Sequence, residues 1–153
     1  MQADLFKGLD ADEIEQALAF GTRITLSSGA ELFRLGEEAD RLFVIARGRI
    51  RLSLPMVVRG HEEAVLVEER IPGQTVGWSA LIPPYRFTLT GTAPLETEVI
   101  ALSREALRAH FEAHPSIGYA VTLNLAAVIG QRLELFQTMW MREMQRTVEL
   151  RCA

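Results

Sequence analysis

Glycines divide the stretch from residue 22 to residue 102 into short runs. Gly29, Gly36, Gly48, Gly60 and Gly73 stand between short apolar or alternating runs at 22–26, 31–33, 42–46, 49–54, 64–70, 87–93 and 97–102. Short strands at such spacing, with turn residues between them, predict an all-β sandwich or barrel. Glycine at the breaks supplies the positive φ that tight turns need. Helical patterns flank this region. Asp10 or Asp12 can cap a helix over 12–20 that places Ile14, Ala17 and Leu18 on one face. Ser103 can cap another that contains Ala106, Leu107 and Phe111 and ends near His114-Pro115.

From Ser116 to near Leu150 no proline interrupts the chain, and Gly118 and Gly130 stand singly. One helix of that length would run about 50 Å at 1.5 Å per residue. That exceeds what one small β-domain can cover. Ile129, Leu133, Phe136, Trp140, Met144 and Val148 recur at steps of three and four. Such spacing builds a continuous apolar seam, as in a coiled coil. The seam can pack on the chain's own β-domain or on a second copy; the excess length and the bulk of Trp140 favour the second copy. Glu134, Arg142, Glu143 and Arg146 lie off the seam or at its edge. The division predicted is a β-rich unit over residues 1–115 and a dimerisation helix over 116–153.

Composition narrows the function. The chain has 153 residues, 48% of them apolar, enough for one domain with a real core. It carries 16 basic and 20 acidic residues. A nucleic-acid binder shows a basic excess or stripe, so no direct nucleic-acid binding is expected. No apolar run is long enough for a membrane span, and the N-terminus lacks the basic and apolar segments of a signal peptide. The single cysteine, Cys152, excludes an intrachain disulfide and fits a reducing cytoplasm.

The segment Pro72-Gly73-Gln74-Thr75-Val76-Gly77-Trp78-Ser79-Ala80-Leu81-Ile82-Pro83-Pro84-Tyr85-Arg86-Phe87-Thr88 carries the candidate chemistry. Gly77 ends a strand, Trp78 to Ile82 allow one helical turn, and Pro83-Pro84 stop it. A turn after glycine presents backbone N–H groups to an anion. Arg86 is the only charge between Thr75 and Leu95, and a guanidinium there can hold a phosphate. It can also pair with Glu31, Glu37 or another carboxylate and hold the roll together. Thr88 and Thr90 add hydroxyls.

The order Gly29-Ala30-Glu31-Leu32-Phe33-Arg34-Leu35-Gly36-Glu37, followed by Asp40-Arg41-Leu42-Phe43-Val44-Ile45-Ala46-Arg47-Gly48-Arg49-Ile50, resembles the first half of a cyclic-nucleotide-binding domain of the catabolite activator (Crp/Fnr) type. Residues 73–93 resemble that family's phosphate-binding cassette. The resemblance implies a double-stranded, jelly-roll-like β-roll with flanking helices and a long C-terminal dimerisation helix. It implies a ligand site at Gly77, Trp78, Ser79, Ala80, Leu81, Arg86, Phe87 and Thr88, with Arg86 holding a cyclic phosphate. Trp78 departs from the pattern, which has glutamate there to accept from the ribose hydroxyl; indole only donates. Phe87 departs too, where a hydroxyl or small residue is common. The phosphate half of the site is retained and the ribose half is not. Members that act on DNA continue past the long helix into a helix-turn-helix domain, so direct action on DNA would need a further domain or a partner.

Other residues are less informative. His110 and His114 stand four apart, but no third ligand accompanies them, and they read as exposed histidines rather than a metal site. A β-roll metalloenzyme would need a histidine cluster on its strands; only His61 is near them, in a turn beside Gly60. No catalytic residue and no cofactor is expected. Arg47, Arg49 and Arg51 alternate onto one face, as a solvated surface or a dock for an acidic partner. Two functions stay open: a sensor of a cyclic nucleotide or other small anion, and a ligand-free dimeric module that regulates an unidentified partner protein.

Overall fold

The computed structural model describes residues 4–153. A 3-10 turn at Asp4–Phe6 precedes α1 (Ala11–Ala19). Asp10 caps α1 through a reciprocal pair: the Glu13 N–H donates to Asp10 at 2.8 Å, and the Asp10 N–H donates to Glu13 at 3.0 Å. The strands are β1 (Thr22–Leu26), β2 (Glu31–Phe33), β3 (Arg41–Arg47), β4 (Ile50–Val58), β5 (His61–Arg70), β6 (Thr75–Val76), β7 (Thr90–Thr92) and β8 (Thr97–Ser103). α2 (Arg104–Ala113) and α3 (Pro115–Cys152) complete the chain.

The strands form two antiparallel four-stranded sheets, ordered β1-β8-β3-β6 and β2-β7-β4-β5. Between them lies a core that includes Phe33, Phe43, Ile45, Ile50, Leu52, Phe87 and Val99. The first sheet is covered on its outer face as well. Leu42, Val44, Ile100 and Leu102 point outward onto Leu5, Phe6, Ala17 of α1, Leu107 of α2 and Ile117, Val121 and Leu125 of α3. Coverage on both faces explains why β3 reads Leu42-Phe43-Val44-Ile45 without a polar residue, since its alternate side chains serve two different cores. The fold expected from the sequence, a β-roll with a long C-terminal helix, is what forms.

Three details differ from expectation. The run at 87–93 is a strand only over Thr90–Thr92, because Phe87 and Leu89 are buried from irregular backbone. β6 has only two residues, too few to show a period of two. His61 opens β5 rather than lying in the turn, which Arg59 and Gly60 make with φ of 51° and 83°. Two successive positive φ values make the primed turn that matches hairpin twist.

α3 has 38 residues and is about 57 Å long at 1.5 Å per residue. Its first part packs on the roll, and the Asn124 amide donates to the carbonyls of Leu5 and Lys7 at 3.0 and 2.8 Å. Its second part leaves Leu133, Trp140, Met144 and Val148 exposed.

Candidate functional site

The site begins at Gly77, whose φ of 81° directs the chain out of β6. A Cβ there would lie 3.1 Å from the Phe87 ring and 3.3 Å from the Arg41 carbonyl, so left-handed backbone and close packing both select glycine. Trp78–Leu81 then form a single 3-10 turn with Ser79 and Ala80 buried. The Ala80 N–H donates to the Gly77 carbonyl at 3.0 Å, so it is already committed within the turn. Leu81 and half-buried Trp78 pack toward the helices.

Phe87 points into the core. Its ring stacks on Phe33 at 4.1 Å between centroids, 15° from parallel. Its N–H donates to the Glu37 carbonyl, and its carbonyl accepts from the Gly36 N–H. Arg86 is exposed and donates from Nη1 to the Gly36 carbonyl at 2.9 Å. Among the described residues it pairs with neither Glu31 nor Glu37; Glu31 pairs with Arg34 instead. Tyr85, with φ of 57°, precedes Arg86 in left-handed backbone, which a non-glycine residue seldom adopts.

Gly77, Trp78, Ser79, Phe87 and Thr88 line one small cavity of about 10 Å³. That is room for about one water. Arg86 does not line it. The cation that does is Arg132, which extends from α3. The Arg132 guanidinium lies 5.8 Å from the Trp78 ring centroid. Its Nε and Nη2 both donate to Glu68 Oε2, at 3.2 and 2.8 Å. The other Glu68 oxygen accepts from Arg70 Nη1 at 2.8 Å, and Arg70 also pairs with Asp4. Asp4 in turn accepts from the Thr75 N–H and hydroxyl. Two guanidiniums and two carboxylates thus join the 3-10 turn at the N-terminus, β5, β6 and α3. Sequence reasoning missed this group. Arg132 is one charge next to an apolar seam, and its partner Glu68 is 64 positions away.

The remaining candidates are dispersed. Ile129 is partly buried against the roll, Phe136 is half-buried, and Leu133, Trp140 and Met144 are exposed. Arg47 pairs with Glu96, and Arg49 and Arg51 with Glu69, so that arginine face carries its own counter-charges. The His110 and His114 rings lie 4.6 Å apart. The His110 ring also leans on Phe20, and its Nε2 is buried without a hydrogen-bond partner among the described residues. Burial, and then the charge of His114, hold His110 below the ordinary histidine pKa.

The two sheets, the Gly77 turn and the helix across it match known proteins. The family model described as "Cyclic nucleotide-binding domain" matches residues 23–114. The chain belongs to the cyclic nucleotide-binding domain family. It is 30% identical over 129 residues to the cyclic AMP receptor protein of Thermus thermophilus, covering 84% of this chain and 56% of that one. It is 29% identical over 133 residues to glutaminase 1 of Bradyrhizobium diazoefficiens, covering 84% of this chain and 20% of that one. The crystal structure of the Thermus thermophilus catabolite activator protein superposes with a TM-score of 0.72 at 28% identity, over 97% of this chain and 62% of the other. The chain therefore spans about half the length of the first of these relatives and a fifth of the second. Among the described residues no helix is long and apolar enough to cross a membrane.

Proposed function

We propose that this chain is a non-enzymatic, cytoplasmic, ligand-sensing regulatory module, in which a cyclic nucleotide or another small phosphate binds at the cassette and re-poses α3. The observation that carries this reading is the shared cavity. Gly77, Ser79 and Thr88 of the cassette and Arg132 of α3 line the same small space. A ligand that enlarges it must move α3, and a ligand that favours one of two helix poses shifts the population between them. The site comprises Gly77, Trp78, Ser79, Ala80, Leu81, Arg86, Phe87 and Thr88, with Arg86 swinging from the Gly36 carbonyl to meet the phosphate at the rim. Trp78 weakens recognition of the sugar, because indole cannot accept from a ribose hydroxyl. Residues 116–153 act as the dimerisation helix for the unit formed by residues 1–115, through Ile129, Leu133, Phe136, Trp140 and Met144.

The cavity volume of about 10 Å³ favours a second reading, a ligand-free dimeric module that acts on a partner protein. A thermal-shift panel of cyclic nucleotides and inorganic phosphate separates the two. Ligand at a hundred times its Kd adds about 2.7 kcal/mol to native stability and raises the melting temperature. No shift with any member of the panel would leave the second reading standing.

A further inference from the structure

We propose that Arg132 is a second anion-recognition residue of the cassette cavity, beside Arg86 at the rim, and that its pair with Glu68 holds the cavity too small for a ligand until an incoming anion replaces the carboxylate. This rests on the ligand-sensing reading above and assigns it a latch.

Three observations carry it. The Arg132 side chain is only 10% exposed, yet its Nη1 has no hydrogen-bond partner among the described residues. Unlike His110 Nε2, that nitrogen is not a buried atom left without a partner, so it reaches solvent and stays open to an incoming acceptor. The open donor belongs to the side chain that lines the cavity beside Trp78, Ser79 and Thr88. Second, both donors in use converge on one oxygen of Glu68, a geometry weaker than the two-oxygen fork that guanidinium makes with a carboxylate or phosphate. Third, Glu68 does not depend on Arg132. Its other oxygen is held by Arg70, so Glu68 keeps a counter-charge if Arg132 leaves. Exchange therefore strands no charge: the anion takes Arg132, and Arg70 keeps Glu68. Arg132 sits on α3 one turn beyond Ile129, so the exchange moves the helix that carries the apolar seam.

The test needs no cyclic nucleotide. In a Trp140→Phe background Trp78 is the only indole, since the chain has two tryptophans. Its fluorescence is quenched with iodide, an anion, and with acrylamide, which is neutral. Glu68→Gln frees the guanidinium, and the ratio of iodide to acrylamide quenching is expected to rise several-fold at low salt and to fall as salt is added. Arg132→Met keeps the apolar stem but removes the charge, and the ratio is expected to drop below that of the parent. The double variant should match Arg132→Met. A double variant that matches Glu68→Gln, or a ratio unchanged in all three, overturns the proposal. If Glu68→Gln does not fold, the comparison of parent with Arg132→Met decides alone. A second arm uses calorimetry with cyclic AMP. Arg132→Met should weaken binding by roughly tenfold or more, the loss of one charge-assisted hydrogen bond. Failure of the parent to bind any phosphate overturns the sensing reading, while the quenching ratio still judges the latch.

Discussion

The two ends of α3 share one pattern of apolar residues at steps of three and four, and they meet different fates. Ile117, Val121 and Leu125 are buried against the roll, whereas Leu133, Trp140 and Val148 are 58%, 61% and 56% exposed. The contacts differ in kind too. Asn124 and Arg132 tie the first part to Leu5, Lys7 and Glu68. Beyond Arg132, the side-chain hydrogen bonds of the described residues stay within the helix, as in Thr138 to Glu134 and Thr147 to Glu143. Periodicity states that a helix has an apolar face. It does not state whose surface covers it.

The largest test of this contrast is on stability. Leu125→Ala in the packed part should cost about 2–5 kcal/mol, the range for a buried leucine that leaves a cavity. Leu133→Ala should change the stability of an isolated protomer by no more than about 0.5 kcal/mol, as for surface positions. Chemical denaturation at low concentration measures both. Equal losses would show that the distal part packs on its own roll.

Association is the next test. Replacing Phe136 and Trp140 together with glutamate would bury unpaired charge in any helix-to-helix contact. Sedimentation should show dimers for the parent at tens of micromolar and folded monomers, or insoluble protein, for the double variant. A parent that sediments as a monomer would remove the dimer and leave the exposed seam to another partner.

At the cassette the effects are smaller and divide by chemistry. Arg86→Leu should abolish phosphate-dependent thermal stabilisation if Arg86 leaves Gly36 to bind the ligand. Trp78→Glu should recover cyclic AMP affinity by about one to two decades, the equivalent of pairing one buried hydroxyl at roughly 1–3 kcal/mol. The structure adds a competing outcome. Trp78 faces Arg132, so a glutamate there would also draw that guanidinium from Glu68. Titrations of Trp78→Glu with and without Arg132→Met separate the sugar contact from the ion pair.

Fold and site were not equally legible in the sequence. Glycine breaks and alternating runs mark β1, β2, β3 and β8 to within a residue or so, because local sterics place a turn and burial sets a period of two. Gly77 and the turn after it were legible for the same reason. The direction of Arg86 was not. It follows from the left-handed Tyr85 and from the Glu38–Arg86 bridge, neither of which leaves a residue pattern. Phe87 reads as a ligand residue by position and is a core residue by contact, since its partner Phe33 is 54 positions earlier in the chain. Arg132 illustrates the same limit. Pairing across sheets and helices depends on tertiary placement, and a lone arginine on a helix looks like a solvated one.

The smallest expected effect lies where the packed part of α3 begins. His114 stands at the N-cap position of α3 without a side-chain capping bond, and its ring nitrogen lies 3.2 Å from the His110 carbonyl. His110 is held below the usual histidine pKa of 6.5 by burial and by the nearby His114. The folded protein therefore binds fewer protons at His110 than the unfolded chain does near that pH. Where the unfolded state binds more protons, stability rises with pH. Stability should be full above pH 6.5 and decline as the pH falls through that value and toward the lowered folded pKa. Melting curves between pH 7.5 and 5 should show a shallow decline for the parent and a flatter profile for His110→Leu, which keeps the contact with Phe20 but does not titrate. His114→Asn removes the second charge, so it should flatten the profile only in part, because burial is the larger cause. A parent whose melting temperature does not fall over this range would show that α2 and α3 part enough for water to reach His110, and that the packed end of α3 is looser than its buried leucines imply.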